Sequence, residues 1–140
     1  MAIRKMELNS RSKNNLKGVH PALINVVNKS AEIVTEKLPN YHFVITSGVR
    51  TLEEQKKLFA EKKTKTLNSK HLTGHAVDIA VFIDGKITWD LKEYRKIADL
   101  IKESAKELNV NITWGGDFKS FKDGPHFEIN PNKYKWKLEK

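Results

Sequence analysis

Two short stretches constrain this chain more than anything else in it. Ser69-Lys70-His71-Leu72-Thr73-Gly74-His75-Ala76-Val77-Asp78 is answered, much further along, by Asp123-Gly124-Pro125-His126-Phe127-Glu128. Two imidazoles and one carboxylate, His71, Asp78 and His126, read as the three protein ligands of a zinc site whose fourth tetrahedral position stays open for water. A fold that uses this set has to bring the two stretches together. Asp123, three residues before the last ligand, is a carboxylate beside the metal and not on it. That is the place of a general base that takes a proton from the attacking water and later returns one to the leaving amine; an ordinary Asp-Gly turn uses the same two residues.

A rival set exists. His75 follows His71 by four residues, and on a helix positions 71, 75 and 78 would share a face. Gly74 opposes a helix there, and the run Ala76 to Phe82 is short, apolar and β-branched. Asp78 is therefore expected to project from a buried strand and His71 to come from the loop before it. A buried Asp in an apolar strand needs a cation or a hydrogen-bond partner, and a metal supplies one. His20 and His42 read as ordinary surface or core histidines.

These residues resemble the zinc D-alanyl-D-alanine carboxypeptidase superfamily, with its S-x-H-x-x-G-x-A-x-D pattern followed by D/E-x-x-H near the C-terminus. The length, the order of motifs and the segment Ser47-Gly48-Val49-Arg50-Thr51, with Gln55 five residues past the arginine, most resemble the L-alanyl-D-glutamate peptidase branch typified by bacteriophage endolysins. The resemblance covers roughly residues 20–130. It implies one Zn²⁺ per chain on His71, Asp78 and His126, and non-histidine residues at the position of His75 in other members. The activity it implies is cleavage of the L-alanyl-D-glutamate bond of peptidoglycan stem peptides, to lyse a host bacterium. Ser69 and Gln55 are expected to contact substrate, and Arg50 to clamp an oxyanion or a substrate carboxylate with its forked donors. Glu128 and Asp117 are placed to orient the ligand imidazoles from behind. Trp114, Phe118, Phe121 and Phe127 either line the cleft or fill the core. Two other classes stay open: a D-alanyl-D-alanine carboxypeptidase or dipeptidase on the same metal site, and a non-catalytic wall- or polyanion-binding module, against which the intact Asp123 argues.

Around these motifs the pattern alternates helices and strands. Pro21 to Leu38 carries a helical apolar stripe stopped by Pro39. Tyr41 to Thr46 is strand-like, and Thr51-x-x-Glu54 is a capping box opening a helix to about Lys62. Lys62 to Ser69 is a basic loop. After the strand 76–82 come an Asp84-Gly85 hairpin turn and a strand over 86–88. Asp90-x-x-Glu93 caps a helix running to about Leu108, with a Trp89–Tyr94 staple and Leu91, Tyr94, Ile97, Ile101, Ala105 and Leu108 facing inward. Asn109 ends it, and strands are expected over 110–114 and 126–129. The fold class is α+β, an antiparallel sheet with helices packed on one side and a single zinc site at its edge or cleft.

The chain reads as one catalytic domain over 1–140, with a short basic tail at 131–140. With no cysteine, any metal must sit on His and carboxylates. No stretch reaches the roughly 20 apolar residues of a membrane span, and the N-terminus lacks a signal-peptide pattern; the expected route is synthesis in the host cytoplasm and action on the wall after membrane permeabilisation. The 26 basic against 17 acidic residues give a net charge of +9, which favours anionic partners without naming them. No nucleic-acid signature accompanies it, and the expected state is a monomer. The tail alternates Lys133, Lys135 and Lys137 with Tyr134, Trp136 and Leu138, which suits an edge strand guarded by lysines or a contact with anionic envelope lipid.

Overall fold

The structure, a computed structural model, describes residues 8–62, 69–119 and 122–135. Its centre is the strand β2, Ala76–Ile83, and the flanking elements are arranged by what that strand presents on each edge and face. Numbered in chain order, the helices are α1 (Ser10–Asn15), α2 (Pro21–Lys37), α3 (Leu52–Ala60) and α4 (Leu91–Glu107). The other strands are β1 (Tyr41–Ser47), β3 (Lys86–Thr88), β4 (Thr113–Trp114) and β5 (His126–Glu128), and short 3-10 turns span Lys70–Thr73 and Gly115–Asp117. The sheet order is β1-β2-β5-β4, and every pairing is antiparallel. β5 pairs with the start of β2 and β3 with its end, so these two strands share one edge while β1 runs along the other.

Because side chains alternate along a strand and directly opposed residues share a face, the register sorts the sheet into two surfaces. Val77, Ile79 and Val81 lie on the face shared with Phe43, Ile45, Phe127 and Trp114, and all of these are buried with the apolar stripes of α2 and α4. Asp78, opposite His126, and Ala76, opposite Glu128, lie on the other face. The helix-covered surface carries the core, and the opposite surface is left for chemistry. Trp114 and Phe127, at 0% and 1% exposure, belong to the core and do not line a cleft. Phe121 lies outside the described residues.

The local signals set the helix starts. Thr51 and Glu54 form the reciprocal capping box of α3. Asp90 caps α4 by accepting from the Lys92 N–H, but Glu93 does not complete a box; its carboxylate accepts a hydrogen bond from the Tyr41 hydroxyl instead. Trp89 stacks on Tyr94 as a staple should, with ring centroids 6.1 Å apart. The Tyr94 hydroxyl donates to the Thr88 carbonyl and accepts from the Val81 N–H, tying the helix to the sheet. Leu108 departs from the inward stripe and is 39% exposed.

Three further differences from the sequence-based expectation have identifiable causes. The Val110 N–H turns back to the Ala105 carbonyl beyond left-handed Asn109, so the backbone is committed to closing α4 and strand pairing starts only at Thr113. The short helix α1, absent from the expected elements, docks on the outer edge of β1: Ser12 Oγ accepts from the Ile45 N–H and Asn15 Nδ2 donates to the Ile45 carbonyl. Both polar groups of an edge residue are thereby occupied. The start of the C-terminal tail is a turn over residues 131–133 and not an edge strand. The Tyr134 carbonyl there accepts from His75 Nε2, and its hydroxyl accepts from the Asn111 N–H. Most of the basic loop, residues 63–68, and the tail beyond Lys135 lie outside the described residues.

Candidate metal centre

The antiparallel register places Asp78 and His126 directly across from each other on the helix-free face. His71 reaches the same point from the 3-10 turn that precedes β2. Ser69 caps that turn by accepting from the His71 N–H, and Gly74 ends it in the left-handed region at φ 78°, a conformation that favours glycine. His71 Nε2 stands 3.3 Å from Asp78 Oδ2, and His126 Nδ1 stands 3.2 Å from Asp78 Oδ1. One atom from each of the three residues lies within 4.8 Å of the others, the one such metal-capable group among the described residues.

The outer ring nitrogens decide what the inner ones can do. His71 Nδ1 is 2.8 Å from the Gly48 carbonyl, which can only accept, so Nδ1 carries the proton and Nε2 turns a lone pair into the site. His126 Nε2 is 2.8 Å from Glu128 Oε1, and the same reasoning puts a proton on Nε2, so that in the neutral ring the Nδ1 lone pair faces Asp78. Two imidazole lone pairs and a carboxylate converging on one point are a coordination sphere in search of a cation, and imidazole and carboxylate suit a first-row divalent metal. The residues present therefore fit a metal ion. Burial opposes ionisation of Asp78, yet the imidazoles of His126 and His71 that face it hold its carboxyl well below the usual range. Burial lowers the affinity of His126 for a proton, but Asp78 and Glu128 outweigh it and raise its pKa to about 9. A dication between the rings would take the place of that proton.

Arg50, at the corner between β1 and α3, donates from Nη1 to Gln55 Oε1 at 2.7 Å and from Nη2 to Ser47 Oγ at 3.3 Å and Asp78 Oδ2 at 3.4 Å. Its backbone N–H bonds the His71 carbonyl, so this arginine is wired to two of the three metal-capable residues. Gln55 is fully buried; it holds the guanidinium and has no exposed surface for a substrate, contrary to the expectation for it.

Asp123 enters the site through a tight approach of backbones. A methyl group at Gly115 would meet the Asp123 carbonyl at 2.2 Å and the β-carbons of both Asp123 and His126 at 3.0 Å, so the two side chains spring from adjacent points. Burial, and next the charge of Asp78, raise the Asp123 pKa above the ordinary carboxylate value, against the pull of His126, His71 and Arg50. A carboxyl beside the metal-capable group with a raised affinity for a proton suits proton exchange with a water held there.

Glu128 meets His126 through one oxygen, and its second oxygen pairs with Lys70, a partner no motif announces. Asp117 does not orient an imidazole: it pairs with Lys102 Nζ at 2.6 Å, and its side chain is 46% exposed. His75 is not part of the group. Its Nδ1 meets Thr73 Oγ1 at 2.7 Å and its Nε2 meets the Tyr134 carbonyl, so the rival set of His71, His75 and Asp78 is not assembled. Phe118 lies with its ring centroid 5.9 Å from that of His126 and is the aromatic neighbour of the site. Sequence reasoning missed the Gly48 carbonyl, although the motif that contains Gly48 was in view, and it missed Lys70.

Over residues 4–132 the chain matches the family described as phage L-alanyl-D-glutamate peptidase. It is similar to the L-alanyl-D-glutamate peptidase of Escherichia phage T5, 32% identical over 127 residues that cover 88% of each chain. It is also similar to the peptidoglycan L-alanyl-D-glutamate endopeptidase CwlK of Bacillus subtilis (strain 168), 35% identical over 102 residues, covering 64% of this chain and 61% of CwlK. Among solved structures, the Serratia marcescens L-Ala D-Glu endopeptidase ChiX superposes with a TM-score of 0.82 at 33% identity, covering 94% of this chain and 96% of that one.

Proposed function

We infer what this chain does from two premises: it belongs to the phage L-alanyl-D-glutamate peptidase family, and one face of its sheet gathers a metal-capable group beside a carboxyl of raised pKa. It is a peptidoglycan endopeptidase that hydrolyses the L-alanyl-D-glutamate bond of stem peptides. The observation that carries this reading is the convergence of two imidazole lone pairs and the Asp78 carboxylate, each held by a partner behind it.

Three such donors on a closed scaffold suit one zinc ion with an open position. Zinc bound there supplies Lewis acidity, lowering the pKa of water toward neutrality and polarising the scissile carbonyl. The residues around it do the rest. Asp123, deprotonated at the start, accepts a proton from the attacking water and delivers it to the departing D-glutamate amine, a role that its raised pKa favours in both directions. Arg50, held in place by Gln55 and Ser47, directs positive charge at the side of Asp78 where negative charge develops on the carbonyl oxygen. Ser69 presents its hydroxyl at the rim of the neighbouring groove. Glu128 and the Gly48 carbonyl keep both imidazoles in the ligating tautomer.

The chain acts as a single-domain monomer on the bacterial wall, as a phage lysis enzyme would. No helix among the described residues is long and apolar enough to cross a membrane. The lysines of the tail offer anionic envelope lipid a contact, which truncation after residue 132 and vesicle binding at low salt would test.

Mass spectrometry of muropeptides after digestion by the zinc-loaded protein tests the main reading. New L-alanine C-termini paired with D-glutamate N-termini are expected; release of free D-alanine would assign the site to a carboxypeptidase instead.

A further inference from the structure

Beside the metal-capable group runs a groove of about 510 Å³, lined by Ser69, Lys70 and Thr73 on one side and by Thr113, Glu128 and Asn130 on the other. Its position follows from the register. Glu128 lies two residues beyond His126 on β5, on the same face, with Thr113 across from it on β4. Two residues of extended strand span roughly 7 Å, so the groove begins about two substrate residues or fewer from the scissile bond.

Among the described residues the lining is mostly polar and carries one cation. Lys70 has a side chain 41% exposed, and its ammonium has three N–H donors, of which Glu128 engages one side. Among the described residues Glu128 is the groove's one acidic side chain, and both its oxygens are already taken, one by His126 and one by Lys70. The Ser69 hydroxyl oxygen accepts from the His71 N–H, which leaves its proton free to donate. Arg50 donates from its terminal nitrogens to Gln55, Ser47 and Asp78 and does not line the groove. The groove is thus built to receive a carboxylate, and Lys70 is the residue with donors to spare.

Taking the bond assigned above, on which this step rests, the D-glutamate product residue carries a carboxyl on the carbon next to the scissile nitrogen. We propose that Lys70, with Ser69, binds this carboxylate in the groove and makes the enzyme prefer D-glutamate over D-isoglutamine, in which the same carboxyl is an amide. The carboxylate forms charge-assisted hydrogen bonds to the ammonium and the hydroxyl; the amide offers a neutral acceptor and unwanted donors in their place.

The test measures kcat/KM of the zinc-loaded full chain on L-Ala-γ-D-Glu-L-Lys and on its D-isoglutamine counterpart. The wild-type protein is expected to favour the acid by roughly tenfold or more, as one charged hydrogen bond would give. Lys70→Met should bring that ratio close to one, and Lys70→Arg, which keeps the charge, should retain most of it. A wild-type protein that treats the two peptides alike, or a Lys70→Met protein that keeps the full preference while both rates fall together, overturns the assignment of Lys70 and leaves the bond assignment standing. A wild-type protein that cuts neither peptide overturns the bond assignment, and this one with it.

Discussion

Two buried histidines four residues apart, His71 and His75, do different work although they share one turn of chain and are almost equally inaccessible, at 2% and 1% exposure. His71 spends one nitrogen on the Gly48 carbonyl and turns the other toward Asp78. His75 spends both nitrogens inside the fold, one on Thr73 and one on the Tyr134 carbonyl, with His20 and Tyr134 packed nearby. The first faces the surface of the sheet that the helices leave open; the second fastens the C-terminal segment to the turn that carries the first. Burial therefore does not mark a metal-capable histidine. What marks it is a ring nitrogen left without a proton and aimed at another donor.

The contrast is broken most sharply by removing metal-capable residues one at a time. His71→Ala, Asp78→Ala and His126→Ala should each lose bound zinc and essentially all hydrolysis, while His75→Ala should keep stoichiometric zinc by elemental analysis. Zinc lost from the His75→Ala protein at a temperature where it stays folded would erase the distinction.

Next in size is Asp123→Asn, which removes the proton acceptor without touching the donors. It should bind zinc normally yet turn over about 100-fold more slowly or worse. Near-normal turnover of the zinc-loaded variant would put the base elsewhere.

Glu128→Gln keeps a hydrogen-bond acceptor behind His126 but loses the charge and the Lys70 pairing. Zinc affinity measured by competition with a chelator should fall roughly 10-fold to 100-fold, whereas Thr73→Val, which alters the partner of His75, should leave that affinity unchanged. Equal losses in the two variants would mean that both histidine regions serve the metal.

The smallest expected effect separates the regions by pH. Burial first, and then the nearby His75, lower the pKa of His20 below its ordinary 6.5, against an opposing hydrogen bond to the Lys135 backbone carbonyl. A histidine with a depressed folded pKa contributes stability that is complete above its unfolded value and is lost as pH falls through the folded one. Thermal melts of the chelated protein should accordingly weaken as pH drops below about 6.5, and His20→Asn should flatten that part of the profile. An unchanged slope in the variant would remove His20 from the account.

Much of the site was legible because its signals are local or strictly periodic. A short, apolar, β-branched run put Asp78 on a strand, Gly74 kept the preceding turn from becoming a helix, and the caps at Thr51 and Asp90 marked two helix starts. What escaped depends on contacts between distant segments. Nothing near Gln55 announces that it is buried against Arg50, nothing near Asp117 points to Lys102, and nothing in the lysine-rich tail foretells that Tyr134 will hold His75. The short helix α1 lacks the length for an apolar stripe and exists because β1 has an edge to satisfy. The members of the metal-capable group could be read from the motifs; the groups that orient them had to be seen in space.

The most direct test of the central claim is anomalous diffraction at the zinc absorption edge from crystals of the zinc-loaded protein. The account predicts one strong peak enclosed by His71 Nε2, His126 Nδ1 and the Asp78 carboxylate, with Asp123 near the peak but not bound to it. A peak coordinated by His75, or zinc found only at surface carboxylates while the three residues stay hydrogen-bonded to one another, would contradict it.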